Sequence, residues 1–300
     1  MSHSDQTVLV TGATGRQGGA VIRRMLPKRW KLRALTRHPG NAAAQDLARQ
    51  GIEVVQGDLE DPTSLERALR GAYGVYSVQD FWAVGATREV QQGKNLADAA
   101  KKAGVAHFVY SSVGGAERNS GIDHWQSKWE IENHIRQLGL PATILRPVAF
   151  MENYYIDQVE ISILKGKLLD PIRADKPYQT IAIDDIGAFA ALAFERPREF
   201  IGLELEIAGS ALTNPEAAQV FSRVLGKPVR FRKLPMLLVR LVLGKELYQM
   251  FRWFNEAGFQ ADIPELRRRY PEVHLQTLEE WLRNEGWHKR ARRVQPPKGA

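Results

Sequence analysis

Hydrophobic and polar residues alternate with two different periods along the first half of the chain. Short runs rich in β-branched residues predict strands, because pleated, buried surfaces favour such side chains. Between these runs, apolar residues recur every three or four positions, which predicts amphipathic helices. The predicted strands are residues 7–12, 31–37, 52–58, 73–78, 106–112 and 141–147, and the predicted helices are 16–26, 41–50, 63–71, 87–104 and 123–139.

The order of these elements predicts the fold class. Strands that alternate with helices form a parallel sheet covered on both faces, and right-handed crossovers then give an α/β, doubly wound Rossmann layout. Turn residues agree with this assignment. Asp61 precedes Pro62 where a helix should begin, and Gly104 follows the longest helical run, where a left-handed residue is favoured.

The regular alternation fades after about Met151. A strand and helix at 181–194, a strand at 203–209, a helix and strand at 212–231 and a last helix at 275–287 are still predicted. We expect a Rossmann domain at 1–155, with segments around 180–208 returning to its sheet. A smaller α+β lobe for substrate or partner binding would occupy 156–300. The apolar run 234–244 is interrupted by Arg240 and is too short to span a bilayer, which predicts a buried or interfacial helix.

Composition excludes several kinds of chemistry. The 300 residues include no cysteine, so disulfides, thiolate metal sites and cysteine nucleophiles are absent. The seven histidines do not have the spacing of metal ligands, and no metal is expected. The polar start of the chain does not resemble a signal peptide. We expect a cytoplasmic protein that has no membrane as a partner.

The net charge of +8 is concentrated near the C-terminus. The tail 288–300 carries five Lys or Arg residues and no acid, so the rest of the chain has a net charge of +3 (8 minus 5). A solvated basic tail explains this pattern, and attraction to a polyanion is the alternative. Because basic and aromatic residues are not interleaved as in a nucleic-acid groove, a nucleic-acid partner is not expected.

A glycine-rich loop follows the first predicted strand. Gly12, Gly15 and Gly18 have the spacing G-x-x-G-x-x-G between that strand and the next predicted helix. Glycines allow a tight turn and the close approach of a pyrophosphate, and the N–H groups at the helix start favour its negative charge. The loop therefore predicts a dinucleotide site, with a glycine-rich turn that binds nothing as the alternative.

The end of the second predicted strand indicates which dinucleotide binds. NAD-specific sites usually hold the ribose hydroxyls with Asp or Glu at this point. Here the residues are Thr36, Arg37 and His38. A guanidinium can bind a 2′-phosphate and stack on adenine, and Arg16 in the glycine loop adds a second positive charge. We therefore expect NADP(H) rather than NAD(H), unless Arg37 is an ordinary surface arginine.

Asp58 ends the third predicted strand and is a candidate for adenine recognition. Its carboxylate can accept a hydrogen bond from the adenine amino group, while the backbone of Leu59 donates another. The alternative is that Asp58 caps the next helix. Asp61 fits that capping role better, which favours the adenine interpretation.

At these motifs the sequence resembles the NmrA-like family of atypical short-chain dehydrogenases, and in particular its NADP(H)-binding redox sensors. The resemblance is carried by TGATGRQGG, RALTRHP, VVQGDLED, HWQSKWEIENHI and LRPVAFMENYY, and it extends to the TLEEWL segment. It implies an NADP-binding Rossmann domain and a smaller C-terminal lobe. It also implies two contrasting functions. Some members are reductases of quinones, azo compounds or phenylpropanoids, and others are cofactor-responsive regulators of partner proteins.

Position by position, the resemblance implies a cofactor site built from the glycine loop and the ends of later strands. Arg37 matches the arginine of the 2′-phosphate, Lys128 matches a lysine before the sixth strand, and Phe150 matches an aromatic residue near the nicotinamide. The residues expected to contact the cofactor are Gly12, Thr14, Gly15, Arg16, Gln17, Gly18, Thr36, Arg37, His38, Asp58, Leu59, Gln79, Phe81, Ser111, Lys128, Pro147 and Phe150.

The expected catalytic pair differs from that of typical short-chain dehydrogenases. Those enzymes carry Tyr-x-x-x-Lys on one helical face, where the lysine assists proton transfer by the tyrosine. This chain has His124-x-x-x-Lys128, with Ser111 and Ser112 as candidates for the companion serine. Imidazole can transfer a proton near neutral pH. The alternative is that Lys128 pairs with Glu132 on the solvated face and that His124 lies idle at an exposed helix start.

Two functions therefore remain open from the sequence. One is an NADPH-dependent reductase of a quinone-like or other conjugated small molecule. The other is a non-catalytic NADP(H) sensor that regulates a partner protein, and a homodimer is compatible with both. Ligands of open α/β sheets bind beyond the carboxyl ends of the strands, so we expect a substrate or effector cleft between the lobes. Its expected lining is Phe81, Trp82, His124, Phe150 and Asn153.

Overall fold

The computed structural model describes residues 5–293, and side chains up to residue 290. The last residues of the basic tail predicted at 288–300 thus lie outside the described residues. The strands are β1 Thr7–Val10, β2 Lys31–Thr36, β3 Glu53–Gln56, β4 Ala72–Ser77, β5 His107–Ser111, β6 Ala142–Pro147, β7 Ala149–Phe150, β8 Lys167–Asp170, β9 Tyr178–Ile181, β10 Glu204–Ile207, β11 Ser210–Leu212 and β12 Arg230–Lys233. The α-helices are α1 Arg16–Met25, α2 Ala42–Arg49, α3 Pro62–Ala68, α4 Phe81–Ala103, α5 Asp123–Gln137, α6 Asp157–Leu164, α7 Ile183–Glu195, α8 Pro197–Phe200, α9 Asn214–Leu225, α10 Met236–Glu256, α11 Ile263–Arg269, α12 Leu278–Asn284 and α13 Trp287–Arg293.

The central sheet of the described chain has seven strands in the order β10-β6-β5-β4-β1-β2-β3. The ladders that join β3, β2, β1, β4, β5 and β6 are parallel. The strand order reverses beside β1, which is the doubly wound Rossmann order and confirms the predicted fold class. Parallel strands end at one common edge, so the loops after β1, β2, β4 and β5 meet there.

The chain divides into two compact units. The first holds the described part of Met1–Pro147 together with Ile183–Glu206, and it contains the central sheet. The second holds Val148–Ala182 and the described part of Ile207–Ala300. The first boundary thus falls after Pro147, whereas the sequence placed it at residue 155.

Helices α4 and α5 pack closely in the first unit. A Cβ at Gly93 would lie 2.5 Å from Cδ1 of Ile131, so the absence of a side chain permits the approach. Helix α4 begins at Phe81, six residues before the predicted start at Thr87. Gly85 explains the difference, because its φ of 76° and ψ of 169° interrupt the helix where the apolar periodicity begins.

The second unit has its own small sheets and apolar core. The sheets are β11-β9-β7 and β12-β8. Phe221, Trp281 and Trp287 are fully buried at the centre of the core, together with apolar residues of α6 and α9. The C-terminal part is thus a smaller α+β lobe, as predicted from the sequence.

The segment 234–244 leads into α10 and contains its first residues from Met236, but it is not a buried helix. Leu237, Leu241 and Val242 expose 69%, 75% and 69% of their surface, while Val239 is buried. Of the two predicted alternatives, the buried helix is therefore wrong for this stretch, and the interfacial helix stays a prediction. Throughout the described part of the chain, none of the helices has the length and apolar character needed to cross a membrane.

Candidate dinucleotide and reductase site

The glycine loop has the geometry of an anion-binding turn. Gly12 adopts a positive φ of 59°, and a Cβ at Gly18 would lie only 2.4 Å from the Gly12 carbonyl oxygen. Side chains at these two positions would therefore distort the turn. Gly15 is the N-cap of α1, and no side chain caps the first turn of that helix. Its N–H groups are suited to a phosphate.

Gln17 ties the glycine loop to the carboxyl ends of β4 and β5. Its Oε1 accepts hydrogen bonds from the Tyr76 hydroxyl at 3.2 Å and from Ser111 Oγ at 2.7 Å. Tyr76 is fully buried, and burial raises the pKa of its phenol above the ordinary value, so the hydroxyl remains a donor. These bonds fix the loop, and they give Ser111 a structural partner.

The loops after β2 and β3 present the residues expected at the adenosine end of a dinucleotide. Arg37 and His38 are exposed, and the Thr36 hydroxyl accepts a hydrogen bond from the His38 N–H at 3.2 Å. The half-buried Asp58 carboxylate accepts from the Glu60 N–H at 3.0 Å. It therefore keeps acceptor capacity, because a carboxylate can accept several bonds.

Asp61 caps α3, as predicted from the sequence. Its carboxylate accepts a hydrogen bond from the Thr63 N–H at 3.0 Å, and Pro62 occupies the first helical turn. Leu59 lies half-buried beside this turn, and its carbonyl accepts a bond from Asn95 Nδ2 at 2.9 Å. Asp58 is therefore not required as the helix cap.

Gln79, which follows β4, is a buried side chain with an unused acceptor. Its Nε2 donates to Ser77 Oγ at 3.0 Å, but its Oε1 has no hydrogen-bond partner within the described part of the molecule. The side chain is only 6% exposed. A ligand that donates a hydrogen bond to this buried amide oxygen would satisfy it and thereby gain binding free energy.

An aromatic cluster stands at the junction of α4 and α5. The ring centroids of Phe81 and Trp82 lie 5.3 and 5.2 Å from that of His124. His124 is buried at 9% exposure, whereas Trp82 is 66% exposed. The expected exposure of His124 in the alternative is therefore wrong, whereas its role stays a prediction. The cluster brings together three of the five residues predicted to line a substrate cleft.

Lys128 lies one helical turn after His124 and pairs with a residue that the sequence did not single out. Its Nζ donates to Oε1 of Glu89 at 2.7 Å. The Glu89 carboxylate also accepts a hydrogen bond from the Ser127 hydroxyl and is completely buried. A signal for Glu89 exists in the sequence, because Glu89, Gln92 and Gly93 share the buried face of α4 at helical spacing.

The proposed pair between Lys128 and Glu132 is wrong. Glu132 instead binds Arg146 at 2.7 Å and Arg136 at 2.6 Å. It also accepts a hydrogen bond from Ser112, so this serine is committed to a structural partner.

The remaining predicted residues lie at the end of β6 and beyond it. Pro147 ends that strand in the first unit, and its carbonyl accepts a bond from the Gly114 N–H at 2.9 Å. Phe150 and Asn153 belong to the second unit, where Phe150 is half-buried and Asn153 is exposed. Among the described residues, no group of three or more His, Cys, Asp or Glu side chains is arranged to hold a metal ion.

The glycine loop has the geometry expected of a Rossmann dinucleotide site, and the Lys128–Glu89 pair belongs to the same unit. The chain matches the NmrA-like family over residues 4–282 and belongs to it. It is 31% identical over 224 residues to the NAD(P)H azoreductase of Xenophilus azovorans, with 75% of this chain and 76% of that one covered. It is 25% identical over 256 residues to the nitrogen metabolite repression protein nmrA of Emericella nidulans, with 80% and 72% covered. The solved NADPH complex of a quinone oxidoreductase from Escherichia coli is similar with a TM-score of 0.78 at 26% identity, with 93% and 99% covered.

Proposed function

We propose that this chain is an NADPH-dependent reductase of a quinone-like or other conjugated small molecule. The observation that carries the proposal is the Lys128 ammonium, which is 14% exposed, is held by the buried Glu89 and follows His124 of the aromatic cluster by one helical turn. A positioned cation beside flat aromatic rings suits a planar acceptor that gains negative charge as it is reduced.

The residues of the Rossmann edge fit NADP(H). The uncapped start of α1 suits the pyrophosphate, and the exposed Arg37 guanidinium suits a 2′-phosphate. The unused Oε1 of Gln79 can accept a hydrogen bond from the bound cofactor. The similarity to an NADPH-dependent quinone oxidoreductase supports this choice. When bound, NADPH supplies a hydride.

The protein side chains have a limited role in this reaction. Lys128 can donate a hydrogen bond or a proton to the acceptor oxygen as its charge develops, and Glu89 keeps the ammonium in place. His124, which stands where typical short-chain dehydrogenases have tyrosine, is the second candidate donor. Solvent can protonate a reduced quinone, so a complete Tyr-x-x-x-Lys pair is not required.

The test of the reaction is an assay of purified protein for NADPH oxidation with a panel of quinones, azo dyes and enones. We expect Lys128→Met to lower kcat/KM about 100-fold, as is usual for loss of a positioned proton donor. Lys94→Met, on the exposed part of α4, is the matched control and should retain activity. Equal rates in the two variants would overturn the proposed role of Lys128, and no turnover with any acceptor would overturn the reductase.

The choice of cofactor is tested separately by calorimetry with NADPH, NADP+, NADH and NAD+. We expect Arg37→Ala to weaken NADP(H) binding by about 1–3 kcal/mol, because it removes a charge-assisted contact. Arg49→Ala, whose side chain is exposed and pairs with Asp46, is the control. Tighter binding of NADH than NADPH by the unaltered protein would reject the assignment.

A cofactor-responsive regulator is the second candidate function. It is favoured by the histidine in place of the catalytic tyrosine and by the similarity to the nitrogen metabolite repression protein nmrA. A sensor requires that the cofactor bind one of two conformations more tightly. Hydrogen exchange with and without NADPH tests this. Protection that spreads through residues 207–290, or to an oligomer contact, in a protein without turnover would favour the regulator.

A further inference from the structure

The start of α10 carries an exposed group of large apolar side chains, which we call the leucine patch. Its members fall within the seven consecutive residues 237–243, unlike the scattered exposed apolar residues elsewhere in the described chain. Contiguous exposed apolar groups on a protein surface mark sites of interaction. The leucine patch consists of Leu237, Leu238, Leu241, Val242 and Leu243.

The backbone presents the leucine patch as a short separate helix. Gly244 has a φ of 83° and a ψ of −178°, which interrupts α10 directly after the patch. Val239 anchors the segment with 2% exposure. Leu237 and Leu241 are one turn apart and point away from Val239, because residues two apart on a helix lie on opposite sides. The apolar face therefore projects outward.

Positive charge surrounds the leucine patch. Arg232 and Lys233 precede it, Arg240 lies within it, and Lys245 follows it; all four are exposed. Within 230–246 the sequence contains one acid, Glu246. None of the four cations forms an ion pair with a described residue, although Arg240 lies 5.8 Å from the centre of the Tyr248 ring. The surface thus combines apolar side chains with uncompensated positive charge.

We propose that the leucine patch docks on an anionic lipid surface. A short helix with an apolar face and flanking cations lies in the plane of a membrane interface, with its apolar side chains among the acyl chains and its cations at the headgroups. With eight residues before Gly244, the segment rests on the surface and does not cross the bilayer. The inference contradicts the sequence-based expectation that no membrane is involved, and it does not depend on the proposed reaction.

A second copy of the chain fits this surface less well. A symmetric pairing brings the same patch together from both copies, so Arg240 and Lys245 of each would approach like charges. An anionic bilayer supplies the opposite charge without any such repulsion. Charge complementarity therefore favours lipid over self-association.

The test is flotation of the full-length protein with vesicles of phosphatidylcholine alone and of phosphatidylcholine with phosphatidylglycerol. We expect binding to the anionic vesicles, and a loss of about tenfold or more in the double variant Leu237→Gln, Leu241→Gln. The control is Ile156→Gln, Ile161→Gln, which changes two other half-exposed residues of the same unit and should bind like the unaltered protein. Circular dichroism and thermal unfolding verify that both variants fold.

Charge and self-association are examined in the same series. Arg240→Glu with Lys245→Glu should abolish the preference for anionic vesicles. Anionic binding that persists in the double leucine variant would assign it to the basic tail and overturn the proposal. Light scattering that shows a dimer converted to a monomer by the leucine variant, without vesicle binding by either protein, would assign the patch to a second copy and also overturn it.

Discussion

Glu89 on α4 and Glu132 on α5 are both completely buried in the first unit, yet they are held by different cations. Glu132 binds Arg146 through two bonds of 3.0 and 2.7 Å, and Arg136 binds the same carboxylate at 2.6 Å. Glu89 binds Lys128 alone, with the Ser127 hydroxyl as a second donor. The Glu132 carboxylate is thus held by two rigid guanidinium groups, whereas the Glu89 carboxylate is held by one flexible ammonium.

The difference separates a structural cluster from a candidate reactive one. Burial by itself would lower the pKa of Arg146, but its hydrogen bonds to Glu132 and the charges of Glu117 and Glu204 raise it above the ordinary value. That cation therefore remains charged at any pH the protein tolerates. Lys128 has a single acidic partner and a partly accessible side chain, and an ammonium has three donors, so it can donate to a substrate while it stays paired with Glu89.

The largest effect on stability is expected when Glu132, which binds Arg136 and Arg146, is removed. Glu132→Ala leaves Arg146 buried without its main partner, and we expect the free energy of unfolding to fall by about 3–5 kcal/mol. Glu204→Ala is the control, because Glu204 touches the same arginines but is 35% exposed, and it should cost about 1 kcal/mol or less. Urea unfolding measures both. Equal small losses would show that the cluster is not what stabilises this region.

His107 is a buried titratable group without an oppositely charged partner among the described residues, so it extends the comparison from paired to unpaired groups. His107 is completely buried, and its Nε2 lies 2.8 Å from Thr143 Oγ1, whose own proton goes to the Phe200 carbonyl. Its Nδ1 has no hydrogen-bond partner among residues 5–293. Burial lowers the pKa of His107 from 6.5 to about 4, because no carboxylate compensates the imidazolium.

The sign of the pH effect follows from proton binding. Between pH 6.5 and about 4 the unfolded chain binds a proton at His107 and the folded protein does not, so stability is lost as the pH falls through this window. The full loss is about 3 kcal/mol. Urea unfolding across the window should show a shallower pH dependence for His107→Gln than for the unaltered protein. Identical slopes would contradict the assignment.

The sequence was sufficient for those features that depend on local spacing. The strand–helix alternation predicted the central sheet, and the cap at Asp61 could be recognised from its neighbours. The partners of Lys128 and Glu132 could not be predicted, because the first pairing depends on how α4 packs against α5. A glutamate at the buried face of a helix is also easily taken for part of a solvated stripe.

The start of α10 shows a different limit of prediction from sequence. Apolar composition predicts that a helix prefers to leave water, but it does not specify what covers that helix. Leu241 is 75% exposed although it lies in a run, 234–244, whose only charged residue is Arg240. The strand pairing of the second unit was equally hard to predict, since the short strands β7 and β11 pair with β9 across long stretches of chain.

The buried lysine pair should give a smaller effect than the arginine cluster. Glu89→Gln keeps the size of the side chain and an acceptor for Ser127 but removes the negative charge. We expect a loss of about 1–2 kcal/mol, because Lys128 is 14% exposed and can reach water when its partner is neutral. A double-mutant cycle with Lys128→Met isolates the pair. A loss as large as that of Glu132→Ala would remove the distinction between the two glutamates.

The smallest effect is expected for a pair of the same chemical kind across the same two helices. Lys94 Nζ on α4 lies 2.5 Å from Glu130 Oε1 on α5, but the two side chains are 31% and 55% exposed. Water and salt screen such pairs, so Glu130→Gln should change the free energy of unfolding by about 0.5 kcal/mol or less. Urea unfolding at low and high salt measures this, and high salt should abolish the difference from the unaltered protein.

Glu89→Gln should instead keep its loss at high salt, because a buried pair is poorly screened. If Glu130→Gln is as costly as Glu89→Gln, then burial does not set the strength of these lysine–glutamate pairs, and the case for Glu89 as the residue that positions Lys128 fails with it.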